Sequence, residues 1–383
     1  MKPITEGPWR ASLQTQGKEI PFIFEARYQG DTLKIDLING EERIAISDIQ
    51  QSNDTLFIPM HIFDADIIAK ITDQGTLEGF WVKNYVENYR VPFTAKAGAA
   101  PRFSASGESN SLVTGKWEVT FTSDGKTSKA IGIFDQNGQQ LSGTFLTATG
   151  DYRYLDGVVN GNSFAMSAFD GEHAYLFEGT MQGDSIQGEF WSGLAGYKTW
   201  QAVRNESAEL PDAHSLTFLK EGYDKLAFDF PGITRERISL NDEKYQGKVV
   251  LVQIFGTWCP NCMDETAFLS DWYRKNQSRG VEIIGLAYEK KDDLAYAKTR
   301  VEKVIKRFDV GYDFAFAGIS DNAKAAETLP MLNHVMSFPT LIVIDKTGKV
   351  RRIHTGFSGP GTGSYYQNFV EDFARYTNML LEE

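Results

Sequence analysis

Both cysteines of this 383-residue chain lie in one stretch, Gly256-Thr257-Trp258-Cys259-Pro260-Asn261-Cys262. Ahead of it, Lys248-Val249-Val250-Leu251-Val252-Gln253-Ile254-Phe255 is an apolar run short enough for a buried strand. Behind it, residues 263–273 carry the spacing of an amphipathic helix. Few layouts place two thiols where a buried strand hands over to a helix, and this junction limits the second half of the chain more than any other feature.

The placement also sets the chemistry. A free thiol with a pKa near about 8.5 is only about 3 % thiolate at pH 7, whereas a helix N-terminus or a Cys-x-x-Cys motif lowers that pKa to about 7 or below. The unbonded N–H groups and the positive end of the helix dipole favour the anion. Cys259, at the helix start, is the expected attacking thiol, and Cys262, one turn further in, the resolving one. Pro260 suits the first helical turn, where a missing N–H costs nothing.

The length allows two or three domains. A net charge of −12 without a compensating basic stretch argues against a nucleic-acid partner. No run of about 18 apolar residues is present to form a membrane-spanning helix. The opening residues, Met1 to Gly7, lack the apolar core of a signal peptide. The protein is therefore either cytoplasmic or an extracytoplasmic, periplasmic one, lipid-anchored or not, whose leader has been removed. With both cysteines in one motif, no structural disulfide is expected elsewhere.

From Gly7 to about Glu206 the chain alternates in short segments broken by Asn39-Gly40, Asp156-Gly157, Asn160-Gly161 and Asp170-Gly171, which argues for antiparallel hairpins. It is also a duplication. Gly7-Pro8-Trp9 returns as Gly115-Lys116-Trp117, Leu33 as Leu141 and Tyr89 as Tyr197, each pair 108 residues apart. Phe63-Asp64 returns as Phe169-Asp170, and Phe80-Trp81 as Phe190-Trp191, within a residue or two of that spacing. The second copy accommodates eight strands, around 117–122, 129–134, 141–147, 152–159, 163–169, 173–179, 185–191 and 198–204, enough to close a barrel filled by its own side chains. A Gly-x-Trp on the first strand with an arginine on the last (Arg204; Arg90 in the first copy) is similar to lipocalin and avidin-like barrels. The alternative is one sandwich built jointly by both copies. The domain reading is a β-barrel-like repeat over 1–100, a second over 108–206, a linker over 207–221 and a redox domain over 222–383.

No metal-ligand spacing joins His61, Asp64, Asp170, Glu172 and His173, which read as solvated strand residues. Phe80, Trp81, Tyr85, Tyr89, Phe190, Trp191, Tyr197 and Trp200 read as barrel core. This half is assigned no catalysis; a role in recognising a partner, or in holding the redox domain off a membrane, is the working expectation.

After a short helix expected around 214–223, strands and helices alternate: the strand at 248–255, the motif helix, strand 281–287, helix 292–308, strand 312–317, helix 321–329, strand 340–344, strand 350–354 and a long helix from 364. Such alternation implies a central sheet covered on both faces.

Residues 222–383 resemble the thioredoxin fold, in the extracytoplasmic TlpA/ResA-like branch of thiol–disulfide oxidoreductases, of TlpA/AhpC-TSA type. The resemblance rests on Val-Val-Leu-Val-Gln-Ile-Phe-Gly-Thr-Trp-Cys-Pro-Asn-Cys at the junction and on Glu265 three residues after the second cysteine. Ser337-Phe338-Pro339-Thr340 ahead of an apolar strand, and the long span between Cys262 and Pro339, complete it. It implies that Pro339 is cis, faces the thiols and excludes metal, and that the Phe338 backbone pairs with an extended substrate peptide. Trp258 would shield the disulfide, Asn261 would complete the motif, and Glu265 would tune its proton transfers. Gln253 stands where thioredoxins carry a buried aspartate, so the Cys262 proton needs another route, through Glu265 or water.

The catalytic candidates are thus Cys259 and Cys262, with Trp258, Pro260, Asn261, Glu265, Phe338, Pro339 and Gln253 shaping the site. No metal and no cofactor beyond the redox-active disulfide are expected, since a zinc site needs four ligands and no second cysteine pair exists. Expected partners are protein thiols or disulfides, with a membrane redox protein to recharge the pair. Two rival functions are a thioredoxin-fold peroxidase, which would need a threonine where Gly256 stands, and a partner-binding β-module with an ancillary redox domain.

Overall fold

Tight turns throw the first two hundred residues into two antiparallel sheets that share a plan and differ in closure. The computed structural model describes residues 3–72, 75–105 and 111–383, and the expected start of the second repeat at 108 lies outside them. The chain divides into two units, one of Met1–Thr147 with Tyr152–Leu210 and one of Ala148–Asp151 with Pro211–Glu383.

The repeat is visible in the register. Gly7–Thr15 pairs with Lys18–Gln29 so that Gly7 faces Ala26, and Gly115–Ser123 pairs with Lys126–Asn137 so that Gly115 faces Phe134. Trp9 Nε1 donates to Thr5 O and Trp117 Nε1 to Val113 O, each at 2.9 Å. The second copy is the closed one. Its eight long strands run in hydrogen-bonded sequence, and Lys126–Asn137 pairs with both Gly115–Ser123 and Gln140–Thr147 to complete the ring. Inward positions are filled by Trp117, Phe121, Phe134, Phe145, Phe164, Phe177, Phe190 and Trp200. At Gly188 a Cβ would meet Trp200 Cε2 at 2.3 Å, so only glycine lets that indole lie across the strand.

The first copy does not close, contrary to the barrel expected of it. Its nine strands run from Glu42–Ile46 at one edge to Gln50–Ser52 at the other. The open core is completed by Phe169, Ala174, Leu176 and Trp191 of the second copy. Phe169 lies 4.4 Å from the Phe22 ring, and Asn39 exchanges two hydrogen bonds with the Phe169 backbone, at 3.0 and 3.1 Å.

Three further expectations are corrected in this unit. Arg204 covers the Trp117 ring at 4.4 Å, but Arg90 covers Phe80 at 4.3 Å. The position facing Trp9, as Arg204 faces Trp117, is Ala97, so Arg90 opens its strand where an end position was needed. Phe80 and Tyr197 are exposed, unlike Trp81, Phe190, Trp191 and Trp200, which are buried. Asp170 and Glu172 are buried too, with Lys83 Nζ 2.6 Å from Glu172 Oε1, because the two copies press together over them.

In the second unit a five-stranded sheet runs in the order Asp313–Ile319, Val281–Glu289, Val249–Phe255, Thr340–Ile344, Val350–Thr355. Every residue of Val249–Phe255 and Val281–Glu289 is buried, as unbroken apolar runs require when helices cover both faces. The two are parallel, and Thr340–Ile344 runs antiparallel on the other side. The helix expected at 214–223 is only one turn, Ala213–Leu216; beyond it Phe218 and Lys220 bond instead to Asn333 and Met331, which sets Leu219 opposite Leu332. Among the described residues no helix is long and apolar enough to cross a membrane.

Candidate functional site

The central strand Val249–Phe255 ends at a short turn, Gly256-Thr257-Trp258, and the helix Pro260–Asn276 begins two residues later. Cys259 is the N-cap of that helix, in extended backbone, and Pro260 occupies its first turn. Cys259 Sγ lies 3.2 Å from the Cys262 N–H, one of the donors a helix start leaves without a backbone partner. An N-cap normally offers an oxygen there; here the acceptor is sulfur, and its anion is the form this field favours. Cys259 and Cys262 are joined by a disulfide, with Cα atoms 5.2 Å apart. Cys259 retains 5 % of its surface and Cys262 none, so one sulfur alone is within reach of a partner.

The loop ahead of Thr340–Ile344 brings the next group. The Phe338–Pro339 peptide is cis, and Phe338 O lies 3.3 Å from Cys259 Sγ. The Phe338 ring meets Trp258 edge-on at 5.6 Å. Trp258 is half-buried, its Nε1 donating to Tyr288 O at 2.9 Å and its face covered by Lys290 Nζ at 3.8 Å. A Cβ at Gly256 would come within 2.2 Å of Trp258 Nε1 and 2.7 Å of Tyr288 O. That excludes the threonine a peroxidase of this fold would need. Asn261 Nδ2 donates to Phe357 O at 3.2 Å.

Behind the cysteines lies a buried polar chain. Gln253 Nε2 donates to Glu265 Oε2 at 2.9 Å and lies 3.4 Å from Cys262 O. Thr266 Oγ1 lies 3.1 Å from Gln253 Oε1 and 2.8 Å from Cys262 O. Glu265 is completely buried, and its Oε1 has no hydrogen-bond partner among the described residues. Burial pushes the Glu265 carboxyl up to about 8, against the pull of the Gln253 hydrogen bond. It is therefore no solvated first-turn acid. At neutral pH it is mostly protonated, and can exchange a proton with little change in free energy.

A family model described as the AhpC/TSA family matches residues 224–353. The thiol-disulfide oxidoreductase ResA of Bacillus cereus (strain ZK / E33L) is 31% identical over 158 residues, which span 41% of this chain and 78% of that protein.

The chain belongs to the ResA family of thiol-disulfide oxidoreductases.

The ResA of Bacillus subtilis (strain 168) is 26% identical over 153 residues, covering 40% of this chain and 77% of its own. Among solved structures, a thiol:disulfide interchange protein of the thioredoxin family from Chlorobium tepidum TLS is 22% identical, with a TM-score of 0.32 over 42% of this chain and 98% of that one.

One part of this ResA-family site was not read from the sequence. The strand expected to end at 287 continues to Glu289, whose side chain is completely buried. Glu289 Oε1 accepts from Thr257 N at 3.0 Å and Oε2 from Thr257 Oγ1 at 2.8 Å. The signal was present: an acid follows the uncharged run 283–288 at the edge where ligands meet an open α/β sheet.

Proposed function

We propose that the chain exchanges the Cys259–Cys262 dithiol and disulfide with protein substrates, as a reductase in an extracytoplasmic compartment. One observation carries the reading: a slightly exposed Cys259 caps its helix, with Sγ 3.3 Å from the carbonyl ahead of cis-Pro339. In the reductive direction the Cys259 thiolate attacks a substrate disulfide, a mixed disulfide forms and one substrate thiolate leaves. Cys262 then attacks Cys259 Sγ, expels the second substrate thiolate and closes the enzyme disulfide. Two electrons pass to the substrate, and the Cys262 proton leaves through water or through the ionised minority of Glu265, which Gln253 holds in place. Phe338 presents its backbone to the extended substrate, Trp258 shields the sulfur pair, and Pro260 and Asn261 fix the turn between the cysteines. The chemistry calls on no metal or cofactor besides the disulfide itself.

The resemblance to the extracytoplasmic TlpA/ResA-like branch supports both the compartment and a membrane redox partner that restores the dithiol. Within the domain reading given above, the β repeats are the part that recognises a client or keeps the redox unit clear of a membrane. The direction is tested by equilibrating the protein with glutathione buffers. A potential well below about −200 mV supports a reductase, and one near the about −120 mV of strong oxidants would reverse the assignment.

A further inference from the structure

The residues just before an attacking thiol determine how it is presented, and here they are held by a group that the exchange chemistry does not use. Thr257 gives both its donors to one carboxylate: its N–H to Glu289 Oε1 at 3.0 Å and its hydroxyl to Oε2 at 2.8 Å. On either side of Glu289, Tyr288 O accepts from Trp258 Nε1 at 2.9 Å and Lys290 Nζ covers the Trp258 ring at 3.8 Å. Three consecutive residues of one strand end thus grip Thr257 and Trp258. Cys259 N in turn donates to Gly256 O at 3.1 Å, which closes the turn into the motif.

We propose that Glu289 is a positioning residue of the redox site: its buried carboxylate fixes Thr257, and through it the posture of Trp258 and Cys259, and its charge modulates the reactivity of the Cys259 thiol. Two convergent donors are the environment an ionised carboxylate matches. The opposing effect is desolvation, for Glu289 has no exposed surface. Burial pushes its carboxyl up to about 7, held back by the two Thr257 bonds and by the charges of Arg300 and Lys290. Around neutrality the turn is therefore gripped either by an anion, which opposes a second negative charge on Cys259, or by a neutral acid, which does not. The strand end itself is held by Ser320 N, which donates to the Glu289 main-chain O at 2.8 Å.

The proposal rests on Cys259 being the attacking thiol, and its test separates the two claims. The full-length reduced protein is alkylated with iodoacetamide from about pH 5 to pH 9, and the rate at Cys259 is read by peptide mass spectrometry. Glu289→Gln keeps an acceptor for the Thr257 N–H and removes the charge. It should raise Cys259 alkylation in the range above neutrality by roughly threefold and erase one inflection from the profile. Thr257→Val removes the hydroxyl that lowers the carboxyl pKa and should move that inflection to higher pH. Glu289→Leu should lower kcat/KM for a disulfide substrate by about tenfold, and Glu289→Gln should recover most of the loss. Profiles of Glu289→Gln and Thr257→Val that superimpose on wild type would overturn the proposal, even if Glu289→Leu fails to fold. If wild-type alkylation instead showed no preference for Cys259 over Cys262, the underlying functional reading would fall.

Discussion

Replacing Glu265 by glutamine should remove a defined part of the pH dependence of the redox unit. The carboxyl moves from 4.5 to about 8 on burial, so the folded state holds a proton that the unfolded chain has already released over most of that interval. Stability contributed by this group is complete below pH 4.5 and falls as pH rises toward 8, because the native state binds the extra proton there. The slope is at most about 1.36 kcal/mol per pH unit, which makes roughly 2–3 kcal/mol between pH 5 and pH 7. Glu289, raised to about 7, adds a loss of the same sign, and His354, lowered to about 4 by burial, one of opposite sign. The informative quantity is therefore the difference between wild type and variant. Glutamine can still accept from Gln253, but its amide N–H groups enter the place of an unpartnered oxygen, at a pH-independent cost of about 1–3 kcal/mol. That cost displaces the variant's curve without changing its slope. Amide hydrogen exchange of the strand Val249–Phe255, corrected for the intrinsic rate at each pH, reads the stability of this unit inside the whole chain. Wild type should lose roughly 2–3 kcal/mol more protection than the variant from pH 5 to pH 7. Parallel curves would refute the burial argument.

Two other substitutions probe separate parts of the account. Gly256→Thr places a Cβ 2.2 Å from Trp258 Nε1; it should destabilise the redox unit by about 3 kcal/mol in the same exchange experiment and confer no peroxidase activity. Arg204→Ala removes the guanidinium 4.4 Å from Trp117 and its bonds to Leu112 O and Thr114 O. It should cost the closed barrel about 2 kcal/mol, read by exchange in Gly115–Ser123, while disulfide reduction continues at the wild-type rate.

The redox unit was legible in the sequence because its signals are local: an unbroken apolar strand, a proline in the first helical turn, a second proline ahead of another apolar strand. The duplication was legible because Trp9 and Trp117 keep their place in matching registers. The closure of each copy was not, since it depends on which side chains fill the interior. Phe169, Leu176 and Trp191 are ordinary strand residues in sequence, yet they complete the core of the first copy in place of its own missing wall. Arg90 shows the hazard of transferring a motif without register: it lies in the right strand at the wrong end. Burial of isolated acids was illegible for the same reason. Glu265, Glu289 and Glu172 look like surface carboxylates until the strands and helices that cover them are in place.

The central claim is that Cys259 exchanges with the substrate and Cys262 resolves. It is tested most directly by reacting Cys262→Ser and Cys259→Ser, each fully reduced, with a peptide disulfide and locating the adduct by mass spectrometry. Cys262→Ser should accumulate a stable mixed disulfide on Cys259, and Cys259→Ser should form almost none, since Cys262 has no exposed surface. An adduct that forms as fast on Cys262 as on Cys259 would contradict the account.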